Sequence, residues 1–378
     1  MRRGRRRAGT NLVPARRPIG SSAIDALPDY DHETLLVRRG RRSGLYTMVA
    51  VHSTARGPSL GGCRMWSYRA APEAIADVLR LARAMTFKAA VAGLPQGGGK
   101  GVIMLPPGTT RLEGDERRAV LLDFAETVEA LQGTYITAED VGTSEPDMRV
   151  IAEVTPHVSG LSTERGGSGD PSPWTALGVE AAIRVACERV LGSDDLAGRT
   201  VAVVGLGHVG GALARLLRDA GAELVVADID ERRRALADEL GARWTDPDSA
   251  LTAEADVLAP CALGGVLNEG TIPWLRCKAI AGAANNQLAT DADAQALADR
   301  GILWVPDFVA NAGGILNISV ELEPDGYDPA RAETRVRAIG DTVRTVVDHA
   351  DATGATPLAA ALEIARRRVD EARAQPAL

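Results

Sequence analysis

Thr200-Val201-Ala202-Val203-Val204-Gly205-Leu206-Gly207-His208-Val209-Gly210 is the stretch that decides the fold. Its first five residues are the short, mostly apolar run of a strand buried in a parallel sheet. Glycines follow at 205, 207 and 210, and the chain then takes up a helical rhythm through Ala212, Leu213, Leu216 and Leu217. A second strand-like run, Glu223 to Ala227, ends on Asp228, 18 residues beyond Gly210. A lone Gly-x-Gly-x-x-Gly carries little weight. Strand, glycines, helix, strand and terminal acid in that order make a βαβ dinucleotide fingerprint. Gly205, Leu206, Gly207, His208, Val209 and Gly210 are then the expected cofactor loop: the glycines let a pyrophosphate approach the backbone, and the helix N-terminus supplies amide donors and a favourable dipole. Asp228 is expected to accept from a ribose 2′-hydroxyl and repel a 2′-phosphate, which selects NAD over NADP. Arg232, Arg233 and Arg234 either weaken that choice or are solvated helix charges.

Towards the C-terminus the alternation continues, with strand-like runs at 256–260, 279–282 and 302–305. Each ends in a polar or glycine-bearing loop: Cys261 to Gly265, Ala283 to Asn286, and Asp307 to Gly314. Ligands of open parallel sheets bind outside the carboxyl ends of strands, so Cys261, Ala262 and Asn286 join the expected cofactor contacts. Asn285 and Asn286 are either ligand-binding amides or turn asparagines. Residues 329–373 alternate apolar and arginine-rich faces and read as helices that pack back on the first domain.

Towards the N-terminus, Gly160 to Pro173 is rich in glycine, serine and proline, the composition of a domain boundary and hinge. Before it, 33–38, 45–53 and 134–138 are strand-like and 116–131 is amphipathic. Leu81 to Ile103 begins as a helix with Leu81, Met85, Lys88 and Ala92 on one face, then breaks at Gly93 and Pro95 into Gly97-Gly98-Gly99-Lys100. Two readings of the break stand: a glycine turn with a solvated lysine, or a turn that holds a desolvated lysine of lowered pKa as a general base. Gly61-Gly62 suggests a second close approach of backbone to ligand, an ordinary loop being the alternative. Asp140, before the turn Val141-Gly142-Thr143, is either a site carboxylate or a cap.

The expected fold is therefore α/β: an N-terminal α/β domain, a doubly wound Rossmann domain and C-terminal helices returning to the first. Expected boundaries are a disordered basic tail over residues 1–20, a substrate domain over 21–170, the dinucleotide domain over 171–325 and the helices over 326–378. The net charge of −7 argues against a general nucleic-acid binder, although seven arginines crowd positions 2–17. That run lacks the apolar core of a secretory signal, and no apolar run is long enough to span a bilayer. Four scattered cysteines and five dispersed histidines show no metal-ligand spacing. No metal is expected, and the thiols read as reduced in a cytoplasmic protein.

Seven motifs in order resemble the glutamate/leucine/phenylalanine/valine dehydrogenase family: Gly61-Gly62-Cys63-Arg64-Met65-Trp66, Met85-Thr86-Phe87-Lys88 with Gly97-Gly98-Gly99-Lys100, Glu139-Asp140-Val141-Gly142-Thr143, the dinucleotide fingerprint, Ala259 to Gly264, Ala284-Asn285-Asn286-Gln287-Leu288, and Pro306 to Gly314. The resemblance implies NAD-dependent, reversible oxidative deamination of an L-amino acid to a 2-oxo acid and ammonia, in a homo-oligomer. It assigns Lys88 to the substrate α-carboxylate, Lys100 to activation of water and Asp140 to proton transfer at the nitrogen. Gly61, Gly62, Met85 and Asn285 become substrate contacts. Leu60 stands where the glutamate branch carries a lysine, and an apolar residue cannot pair with a distal carboxylate. With Ala138, Ile315 and Ile318 it lines the implied side-chain pocket, which favours valine, leucine or isoleucine. Leu94-Pro95-Gln96 and Phe308-Val309-Ala310-Asn311 look more like the phenylalanine branch, so phenylalanine is the alternative substrate. A NAD-binding sensor without chemistry is the alternative class.

Overall fold

A computed structural model describes residues 30–374; the arginine-rich stretch of residues 1–20 lies outside them. The first sheet is built from β1 (Thr34–Arg39), β2 (Tyr46–Ser53), β3 (Ser59–Ser67), then, after α1 (Ala71–Val91), β4 (Gly97–Leu105), and, after α2 (Gly114–Glu129), β5 (Tyr135–Glu139). Its order is β1-β2-β4-β3-β5. β1, β2 and β4 pair antiparallel, while β4, β3 and β5 run parallel. Strand periodicity explains why β2 is buried along most of its length. Met48 and Ala50 pack with Ala74, Val78 and Ala82 of α1, and Val49 and Val51 pack with Val120, Phe124 and Val128 of α2.

The glycine stretch corrects the reading of a turn: Gly97, Gly98 and Gly99 lie within β4 itself, and none has positive φ. They are glycines because both faces of the strand are covered closely. A Cβ on Gly98 would overlap the Thr86 backbone of α1, and one on Gly99 would come within 2.7 Å of the Tyr135 ring. Gly61 and Gly62 likewise belong to a strand, β3, rather than to a loop. With side chains alternating, Lys100 shares the α1 face with Gly98 and Val102.

From β5 the chain passes through α3 (Glu145–Ile151) and a 3-10 turn at Thr163–Arg165 into α4 (Ser172–Leu191). The second sheet follows the expected alternation: β6 (Thr200–Val204), α5 (His208–Asp219), β7 (Glu223–Ala227), α6 (Arg234–Leu240), β8 (Arg243–Trp244), α7 (Pro247–Leu251), β9 (Glu254–Pro260), β10 (Arg276–Ile280), α8 (Ala292–Asp299) and β11 (Leu303–Trp304). All pairs are parallel, in the order β11-β10-β9-β6-β7-β8. That is a doubly wound sheet with its topological switch between β6 and β9. α9 (Asp307–Ala310), α10 (Gly313–Glu321), α11 (Pro329–Arg337), α12 (Ile339–Thr353) and α13 (Pro357–Ala374) complete the described chain.

The C-terminal helices depart in part from expectation. α11 and α12 pack on α4, beside the second sheet, and only α13 returns to α1. There Arg368 donates to the Ala90 and Val91 carbonyls at 3.0 and 2.7 Å. No described helix is long and apolar enough to cross a membrane.

Candidate functional site

Asp140 stands just beyond β5, in a turn pinned at both ends: its N–H donates to Thr143 Oγ1 (2.9 Å), and Thr143 Oγ1 donates to the Cys63 carbonyl (2.7 Å). The turn needs Gly142, whose φ of +84° suits glycine. Lys100, 4% exposed, reaches Asp140 Oδ2 with Nζ at 3.1 Å. Arg64 Nε meets the same oxygen at 3.2 Å. Burial alone would raise the Asp140 pKa, but the charges of Lys100 and Arg64 and their hydrogen bonds prevail and hold it below the usual range. The carboxylate therefore stays ionised.

Lys88, in the last turn of α1, donates to Oδ1 of Asn311, the residue that ends α9, at 2.7 Å. Asn311 Nδ2 in turn donates to Asn285 Oδ1 (2.8 Å) and to the Ala283 carbonyl (3.0 Å). Burial lowers the Lys88 pKa to about 8; Asp307 opposes the shift, Lys100 adds to it and Asp140 opposes it. Of the two expected site lysines, burial thus visibly weakens the charge of Lys88, whereas Lys100 is tied to a carboxylate. Asn311 was not expected as a site residue. The only signal was its place in the Pro306–Gly314 motif, and its role needs the third dimension because Lys88 lies 223 positions earlier.

Leu60, Ala138, Ile315 and Ile318 are all buried, as members of the main apolar core that runs through both sheets. Met85 joins its margin, with Cγ 3.4 Å from where a Gly61 Cβ would stand.

The dinucleotide loop sits at the switch point. Gly205, at φ +101°, is crowded by the β9 loop: a Cβ there would come within 2.7 Å of Ala262 Cβ, and one on Gly210 within 3.1 Å of Cys261 Cβ. Gly207 differs, because a Cβ there meets no protein atom within 4 Å. Packing does not require that glycine, whereas a pyrophosphate laid against the N-terminus of α5 would. Asp228 Oδ2 accepts from Leu206 N–H (2.6 Å) and Oδ1 from Asp230 N–H (2.8 Å), so the acid also braces the loop. Arg232 is held by Asp230 through Nε, at 2.8 Å, which supports the reading of a solvated helix charge. Ile229 and Leu263, 90% and 74% exposed, flank the carboxyl ends of β7 and β9. They were not expected; exposed aliphatics there suit the faces of a planar base. Asn286, with φ +53°, holds an uncommon backbone conformation, and its carbonyl accepts from Gly265 N–H at 2.7 Å.

Residues 34–157 match the family described as Glu/Leu/Phe/Val dehydrogenase, dimerisation domain, and residues 225–376 match Glutamate/Leucine/Phenylalanine/Valine dehydrogenase. A leucine dehydrogenase from Thermoactinomyces intermedius is 42% identical over 348 residues, covering 92% of this chain and 93% of its own. A valine dehydrogenase from Streptomyces coelicolor is 42% identical over 352 residues, covering 91% and 94%. The crystal structure of L-tryptophan dehydrogenase from Nostoc punctiforme superposes with a TM-score of 0.79 at 36% identity, covering 93% of this chain and 100% of that one.

Proposed function

Because the chain belongs to the Glu/Leu/Phe/Val dehydrogenase family of amino-acid oxidoreductases, we propose that it deaminates a branched-chain L-amino acid. The products are the 2-oxo acid, ammonia and NADH, and the reaction is reversible. The observation that carries this reading is buried Lys100 paired with half-buried Asp140, together with a second, half-buried lysine, Lys88, whose Asn311–Asn285 chain leads to the dinucleotide crevice. The aliphatic side chains at Leu60, Ala138, Ile315 and Ile318 support an aliphatic substrate, as do leucine and valine relatives at 42% identity.

Lys88 leaves Asn311 to pair with the α-carboxylate and sets the substrate in place. Asp140 accepts a proton from the substrate ammonium, which frees the nitrogen lone pair. When bound, the dinucleotide supplies the hydride acceptor for the substrate Cα. Once Asp140 carries the substrate's proton, Lys100 gives its own to solvent and, as the free amine, takes one from the water that adds to the resulting imino carbon. Asp140 then returns its proton to the departing nitrogen, and the hydroxyl proton leaves to solvent as the carbonyl forms. The Gly61–Gly62 backbone lies along the substrate, and Asn285 orients it. Segment 160–173 hinges the substrate domain (21–170) against the dinucleotide domain (171–325), closing the cleft and excluding water. Asp228 favours NAD, and the first sheet supports a homo-oligomer, since residues 34–157 match a dimerisation domain.

Following NADH formation over a panel of L-amino acids tests the proposal. Valine, leucine and isoleucine should lead, and NAD should exceed NADP in kcat/KM. Lys100→Ala should lose at least ~100-fold in kcat, as expected for a positioned proton carrier, with NAD affinity retained. Turnover preserved in that variant, or a wild type inert toward every amino acid, would overturn the reading.

A further inference from the structure

Arg64 has no place in the chemistry just set out, yet it is the most connected cation near Asp140. It lies on β3, one residue past Cys63, with about a fifth of its side chain exposed. Its Nε contacts Asp140 Oδ2 at 3.2 Å, and its NH1 contacts Asp77 Oδ2 of α1 at 3.0 Å. Asp77 is itself held by Tyr68 OH at 2.8 Å and Arg80 NH2 at 2.7 Å. An alternating chain of charges thus runs from exposed Arg80 through Asp77, Arg64 and Asp140 to buried Lys100. Both cations on Asp140 take the same oxygen, Oδ2, and among the described residues no hydrogen bond is made to Oδ1.

We propose that Arg64 is a positioning residue: it fixes Asp140 by Oδ2 so that Oδ1 is the atom that exchanges protons with the substrate nitrogen. The inference rests on the deamination reading. A single contact to Lys100 leaves the carboxylate free to rotate about its Cβ–Cγ bond and present either oxygen. The guanidinium, anchored at its far end on α1, removes that freedom. Lys100 then faces water while Arg64 bears the work of orientation. The charged and titratable groups around Asp140 are Lys100 on β4, Lys88 and Asp77 on α1, Arg64 and Cys63 on β3, Tyr135 and Glu139 on β5, and Tyr68. Loss of the Arg64 cation raises the proton affinity of each of them, so the sign of its removal is fixed. Protonation of the acid–base pair persists to higher pH.

The experiment is steady-state kinetics of the full-length enzyme against pH, with saturating NAD, for wild type, Arg64→Gln and Arg64→Lys, with thermal melting of each. Arg64→Gln should lower kcat about ten- to a hundredfold and move the acid limb of kcat/KM upward by about one unit, leaving the KM for NAD unchanged. Arg64→Lys, which keeps the charge without the fork, should restore the acid limb and recover only part of kcat. Asp77→Asn, which frees the far end of the guanidinium without touching Asp140, should lower kcat in the same direction with the limb in place. An acid limb unmoved in Arg64→Gln, or a fall in kcat matched by Arg64→Lys to the same degree with lowered melting, overturns the inference. A wild type without amino-acid turnover overturns the deamination reading instead.

Discussion

Lys88 is held where its burial works against its charge, and that tension has a measurable consequence. With a pKa near 8 in the free site, the amine is cationic below that pH and increasingly neutral above it. A bound carboxylate would replace the lost solvation and restore the proton. The affinity of a substrate-shaped carboxylate without an amino group, such as 4-methylpentanoate, should therefore be flat below pH 8. Above it, affinity should weaken towards about tenfold per unit. Competitive inhibition constants measured between pH 6 and 10 check this, and a flat profile to pH 10 would contradict it. The amino group is absent from the probe, so the titration of substrate nitrogen cannot produce the trend. The same reasoning shows why Lys88 and Lys100 are not interchangeable: the first is desolvated beside a neutral amide, the second is neutralised by Asp140.

At the scale of elements, β4 and α10 do the placing. β4 carries glycine at 98 so that α1 can lie against it, and Lys100, two residues on, lies on the same face of the strand. α10 carries Ile315 and Ile318 in the apolar cluster, while its Asn317 and Glu321 grip the connection between the sheets. Glu321 Oε2 accepts from Gly160 N–H, Ser168 N–H and Ser168 Oγ at 3.0, 2.9 and 2.6 Å, and Asn317 Nδ2 donates to the Ser168 carbonyl at 3.1 Å. Glu321→Ala strands three donors and should cost about 1–3 kcal/mol, seen as a lower melting temperature. It should also change the kcat/KM ratio of leucine to 2-aminobutyrate, because the loosened helix bears Ile315 and Ile318, the isoleucines proposed to contact the substrate side chain. An unchanged ratio would mean that the clasp serves stability alone. These two elements also mark what was legible beforehand. β6, the cofactor loop and β7 were readable because their signal is local: an apolar run, spaced glycines and a terminal acid within 30 residues. The glycines of β4 were misread as a turn because their cause is a helix crossing the strand, which no local pattern reports. Arg64 and Asn311 escaped for the same reason, each finding its partner only after the sheets are assembled. Lys88, Lys100 and Asp140 were identified by resemblance, and their spacing alone left them undecided.

On the scale of the molecule, the chain passes from the first sheet to the second through residues 160–171 and comes back only through α13. That return ends on α1, the helix that holds Lys88. Arg368 of α13 donates to the carbonyls of Ala90 and Val91, and its own carbonyl accepts from Arg56 NH1 at 3.3 Å. Those two carbonyls belong to the last turn of α1, where no further helical turn supplies i+4 N–H donors, and a cation is also favourable at that end of the helix dipole. Arg366 of α13 and Arg83 of α1 both stand 5.8 Å from the Phe87 ring, next to Lys88. The C-terminal helix thus braces the turn that carries Lys88, the proposed carboxylate anchor, from a site remote in sequence. Arg368→Ala should cost about 1–3 kcal/mol, the loss of two hydrogen bonds from a charged, half-buried donor, read as a shift in the urea midpoint. Its kinetic mark should be selective. The KM for the amino acid should rise severalfold through displacement of Lys88, while the KM for NAD stays near that of wild type. A matching rise in both constants would place the effect in the whole fold, and a rise for NAD alone would refute the coupling of α13 to the anchor.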